Sequence, residues 1–253
     1  MSALDLSPAP GAAPAGRRVL AHGLTEARLL VRNGEQLLLA LVIPLVILGA
    51  GRVVGGRFGS LATLAPSVLA LAVWSSSFTS VAIATGFERR YGVLERLAAT
   101  PLGRSGLLAG KALAVVLVLV GQLVVLTVGA LALGWRPAPT PASAAVALLL
   151  VVLSAAAFVS LALLLAGRLR AEATLGLANL IYVVLLVGGA LILPVDRYPT
   201  AVRPVLELLP TAALGEGLRG AASGTVLLWP LLVSLVWLVL AGAAARRGFR
   251  WTA

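Results

Sequence analysis

Cysteine is absent from the 253 residues, and the chain has one histidine, His22, and one lysine, Lys111. Without thiols there are no disulfides, no thiolate catalysis, no iron–sulfur clusters and no thiolate metal sites, and a lone histidine cannot build a ligand cluster. Charge is scarce as well. Only 11% of residues are charged, with 9 acidic against 20 basic side chains and a formal net charge of +11. Such a balance can signal nucleic acid, but aromatics make up only 5% of the chain. The basic residues also lie between apolar runs and form no patch, so a nucleic-acid partner is excluded. A phosphate-binding loop is missing too: Gly110-Lys111 is preceded five positions earlier by Ser105 and followed by Ala112. No Gly-x-Ser-x-Gly elbow or His-Glu-x-x-His pair occurs either, so catalytic residues and metal ligands cannot be nominated.

What the chain does have is apolar surface, with 60% of residues hydrophobic and a mean hydropathy of +1.05. Too little polar surface is available to cover a compact body in water, so the bilayer is the expected solvent. Six charge-poor stretches, near 36–54, 60–86, 112–134, 142–166, 173–195 and 226–245, approach the roughly 17–25 residues needed to cross a membrane. Backbone groups in lipid must pair within their own segment, and no stretch alternates apolar with polar residues, so all six read as helices. The fold class is therefore all-α, a polytopic membrane protein. The first stretch is the weakest, being short and containing Pro44.

Arginines set the expected orientation. Fourteen basic residues fall on the side of the termini and the second and fourth connections, against six on the other side, which predicts cytoplasmic termini. Three segments lie outside the spans. Residues 1–16 read as a disordered leader ahead of a single permease-like domain, 17–253. Residues 17–33 read as an amphipathic interfacial helix, with Leu20, Leu24, Ala27 and Val31 in one stripe and Arg18, Arg28 and Arg32 away from it. The stretch 196–225 is longer than a connection needs and carries Val202, Val205, Leu206, Leu209 and Leu214, which suggests short amphipathic or re-entrant helices at the outer interface, or a cap over that end of the bundle. Within the spans polar groups are few: Ser75, Ser76, Ser77, Thr79 and Ser80 in the second, with Gln122 and Asn179 elsewhere. These are candidates for a substrate path, and equally for helix packing. Buried carboxylates of the kind ion-coupled transporters use are lacking, so energy has to come from outside the chain.

The second connection is the most informative. Its run Glu88-Arg-Arg-Tyr-Gly-Val-Leu-Glu-Arg-Leu-Ala-Ala-Thr-Pro101 reads as a short amphipathic helix, with Phe87, Tyr91, Leu94 and Ala98 on one face and Pro101 ending it. It resembles the first cytoplasmic loop of bacterial type-2 ABC exporter permeases. The six-span plan and the stretch Leu209-Pro-Thr-Ala-Ala-Leu-Gly-Glu-Gly-Leu-Arg-Gly220 are also similar to that family. The resemblance implies a half-transporter of the bacterial plasma membrane, paired with a second permease subunit and powered by a separate ATP-binding subunit that holds ATP and Mg. Glu88, Arg89, Arg90, Gly92, Glu95, Arg96 and Pro101 would then form the coupling element at 88–97 and its flank, and 17–33 the elbow helix. Scarce aromatics lean toward an amphipathic cargo such as a drug, a secondary metabolite or a lipid. Two other readings stay open: a membrane scaffold that binds a soluble partner, and a haem-exporter-type permease, for which His22 leaves no axial pair in the bundle.

Overall fold

The computed structural model describes residues 11–32, 41–54 and 60–251. Among them every regular element is helical. In chain order these are α1 (Ala15–Arg32), α2 (Ile43–Val54), α3 (Leu61–Arg90), α4 (Val93–Ala98), α5 (Gly103–Ala132) and α6 (Pro141–Ala166). They are followed by α7 (Ala171–Gly188), a 3-10 turn (Val195–Arg197), α8 (Arg203–Leu206), α9 (Pro210–Ala222) and α10 (Trp229–Gly248). The helices α3, α5, α6, α7 and α10 are long and apolar enough to span a membrane. The expected first span is represented by α2, whose 12 residues cover about 18 Å against roughly 30 Å of hydrocarbon. Its expected residues 36–40 lie outside the described ones. Leu48 of α2 is buried beside Leu64, Val68 and Leu126, which fixes α2 against α3 and α5.

The bundle is organised around α3, whose apolar window is 67% buried, whereas no other spanning helix exceeds 28%. Trp74 of α3 stacks on Phe78 at 4.3 Å and meets Phe158 of α6 edge-on at 4.7 Å. All three rings are buried. The outward faces of α5, α7 and α10 expose rows of Val and Leu, as helices solvated by lipid do. Contacts between helices use small hydroxyls, for instance Ser154 of α6 and Ser234 of α10 at 3.0 Å. The start of α6 is closed by a reciprocal cap, Ser143 N to Thr140 Oγ1 at 3.1 Å and Thr140 N to Ser143 Oγ at 3.0 Å.

Two segments outside the long helices take defined places. The helix α1 starts at Ala15, inside the supposed leader, and it packs along α5: Val19 comes near Gly106, His22 near Gly110, and Gly23 near Leu113. Of its apolar stripe Ala27 is buried, while Leu20, Leu24 and Val31 are exposed. In a lipid solvent the large apolar side chains gain nothing by turning inward, and the small residues let two backbones approach. The second is the stretch ahead of the last helix, in which α9 is buried on nearly all sides among α3, α6 and α10. Arg219 anchors it by donating to Ser67 Oγ (2.7 Å), Leu191 O (3.0 Å), Ala190 O (3.0 Å) and Glu216 Oε1 (2.9 Å). Glu216 Oε1 in turn accepts from Val195 N at 2.7 Å. An arginine fork is suited to gathering carbonyls that no helix satisfies.

Candidate functional site

The arginine-rich end of the bundle carries the charged turn between α3 and α5. The helix expected over 88–97 is two pieces. The spanning helix α3 continues through Arg90, Gly92 then takes a left-handed conformation (φ 66°), and α4 begins at Val93. Any L side chain is disfavoured at that φ, so the glycine makes the corner. Leu94 is buried and pins α4, whereas Glu95 and Arg96 are exposed and Tyr91 is 62% exposed. Arg96 Nη2 donates to Tyr91 O at 2.9 Å across the corner. Pro101 is exposed in the turn into α5, which Thr100 closes by donating from Oγ1 to Leu97 O at 2.6 Å.

The nominated residues of this turn separate into two sets. Glu88, Arg89 and Arg90 brace it. Glu88 Oε1 accepts from Lys111 Nζ of α5 at 2.7 Å, and Lys111 also lies 3.4 Å from Glu26 Oε2 of α1. His22 Nε2 lies 4.0 Å from the other oxygen of Glu26. One buried ammonium therefore ties together α1, the end of α3 and the start of α5. Arg89 is buried and donates to Leu169 O at 2.6 Å, and Arg90 pairs with Glu172, so both arginines clamp the turn to the connection between α6 and α7. Glu95, Arg96 and Tyr91 form the remaining, outward set. Sequence reasoning missed Lys111 and Glu26. The available signal was the chain's one lysine, eleven residues beyond Thr100 and followed in α5 by a run with no further charge. Of the interfacial arginines, Arg28 and Arg32 are exposed and Arg18 is half-buried.

The hydroxyl-rich stretch Ser75–Thr79 forms a π turn inside α3, a wide turn that often marks functional positions in helices. Ser76 Oγ donates to Gln122 Oε1 of α5 at 2.5 Å, and Ser75 Oγ to Ala72 O at 3.2 Å. Ser77 and Thr79 bury their hydroxyls with no partner among the described residues. A small pocket of ≈ 60 Å³ runs between Ser76 and Ser80 at one end and Glu26 and Lys111 at the other. The structure thus brings Ser76, Ser80 and Gln122 together and leaves Asn179 apart, exposed on α7.

Five apolar helices of spanning length, with a clamped, charged turn presented at one end, define a multi-pass membrane protein. The family profile described as ABC-2 family transporter protein matches residues 55–245, and the chain belongs to that family. It is accordingly a membrane permease of an ABC transporter, and membership implies association with an ATP-binding subunit. Comparison with curated proteins finds no match.

Proposed function

We propose that this chain is the transmembrane subunit of an ATP-driven exporter in a bacterial plasma membrane, with both termini cytoplasmic and an amphipathic compound as cargo. ATP and Mg belong to a partner subunit that docks on the exposed face of α4, and a second permease subunit completes the pathway. The observation that carries this reading is the division of the charged turn. Glu88 and Arg89 are buried or half-buried in holding it to α1, α5 and the connection between α6 and α7, while Arg90, paired at the surface with Glu172, and Tyr91, Glu95 and Arg96 are left facing outward. A turn that only fixed topology would need arginines and no bracing. A rigid one can receive a push and pass it to three helices.

The test is purification of the tagged protein from its native membrane in mild detergent, with identification of co-purifying chains and an ATPase assay. A stoichiometric ATP-binding subunit whose activity responds to amphiphiles supports export. Recovery of the permease alone across several detergents overturns it in favour of a scaffold.

A further inference from the structure

A second, larger cavity of ≈ 410 Å³ lies on the opposite side of α3 from the Lys111 cluster, between α3, α6, α7 and α10. Arg168 stands at its mouth, at the arginine-rich end, and is the only charged residue that lines it. Leu161, Leu165 and Ile181 form its walls, and Trp74, Trp237 and Pro210 its far end. Arg168 is exposed, its guanidinium lies against Gly248, and no carboxylate pairs with it among the described residues. Trp237 closes the far end by donating from Nε1 to Leu208 O at 2.8 Å.

The depth of this groove follows from helix geometry. Seven residues separate Leu161 from Arg168 and eleven separate Trp237 from Gly248, so at 1.5 Å per residue the groove reaches about 10–17 Å inward. Half of a bilayer's hydrocarbon is roughly 15 Å, which is the reach of one lipid tail. An apolar slot of that depth with one unpaired cation at the interfacial end matches an anionic head with a single chain below it. A cationic head would meet repulsion there, and an uncharged one would leave the guanidinium without a counter-charge.

We infer that this groove holds one acyl chain of an anionic lipid drawn from the cytoplasmic leaflet, with its head on Arg168, and that acylated anions are the class of cargo the permease loads. The cargo half and the choice of leaflet rest on the export reading above, whereas binding of the chain and its head does not.

Trp74 makes the test direct, because it lines the groove yet is only 1% exposed. A variant keeping Trp74 as its sole tryptophan, with Trp135, Trp229, Trp237 and Trp251 changed to Phe, is reconstituted into vesicles. These contain chain-brominated phosphatidylglycerol or chain-brominated phosphatidylcholine. The anionic phosphatidylglycerol should quench Trp74 with about fivefold higher apparent affinity than the zwitterionic phosphatidylcholine, the scale of one surface arginine acting on an anionic head. Arg168→Gln should erase that preference, and Leu161→Phe with Leu185→Phe should reduce quenching by both lipids. Equal quenching by the two lipids, or a preference that survives Arg168→Gln, overturns the site. So does an absence of quenching, as would follow if a second permease subunit filled the groove. ATP-dependent movement of the brominated phosphatidylglycerol between leaflets is measured in the same vesicles, with the permease in complex with its ATP-binding partner. Quenching as expected, with no ATP-dependent movement of the lipid, overturns the cargo half and leaves the binding site standing.

Discussion

Glu88 and Lys111 lie 23 positions apart, on either side of the exposed turn, and their charged groups meet at 2.7 Å. The contact closes the base of the turn as a clasp closes a loop. Because Lys111 also reaches Glu26 at 3.4 Å, the clasp includes a helix that precedes the turn by more than fifty residues.

Lys111→Met should destabilise the protein by about 3–5 kcal/mol, the scale for removing one partner from a buried ionic group. The triple change Lys111→Met, Glu26→Gln and Glu88→Gln should recover most of that loss, since no uncompensated charge remains. Thermal unfolding followed by size-exclusion profile checks both. A triple variant no better than the single one would show that the cluster is not electrostatically closed.

Gly92→Ala should cost about 1–2 kcal/mol, through backbone conformation alone, because nothing lies within 4 Å of the added Cβ. Gly92→Asn should cost less, asparagine tolerating the left-handed region better. Hydrogen exchange across 87–102 measures the effect, with faster exchange expected in the alanine variant.

The double reversal Glu95→Arg with Arg96→Glu should leave stability within about 0.5 kcal/mol, as surface changes do. On the docking reading it should lower the apparent affinity for the ATP-binding subunit about tenfold, equivalent to 1.4 kcal/mol. Titration of the partner against the purified permease reads this directly. Unchanged affinity in a folded variant would remove α4 from the interface.

Arg219→Leu should unfold the half of the bundle away from Lys111, costing about 3 kcal/mol or more, because buried carbonyls and Glu216 lose their donor. Arg219→Lys should rescue little, since a lysine cannot address Ala190 O, Leu191 O and Ser67 Oγ with one planar group. Limited proteolysis at the 195–203 segment separates these outcomes.

The helical class and most span positions were legible because lipid imposes length and composition on any crossing segment. The end near Pro101 was legible because proline acts through its own backbone, whereas the corner at Gly92 interrupts what reads in the sequence as one helix over 88–97. Which side chains turned inward was not. Hydrophobicity ranks Leu20 and Leu24 above Gly23, yet in lipid it is Gly23 that meets α5. The roles of Lys111 and Glu26 depend on three helices meeting, and no local pattern encodes that. Asn179 and Ser76 are equally polar in sequence; only packing shows that one finds a helix partner and the other faces outward.

The π turn at Ser75–Thr79 sets the angular phase of everything beyond it on α3. A regular helix advances about 100° per residue and a π turn holds about one residue more than an α turn, so relaxation of this turn to α geometry with every residue kept would rotate the rest of α3 by about that angle. Glu88, Arg89 and Arg90 would then point away from Lys111, Leu169 and Glu172, with no contact residue replaced. The clamp is thus timed from roughly two and a half turns away, by a surplus residue stored in the helix.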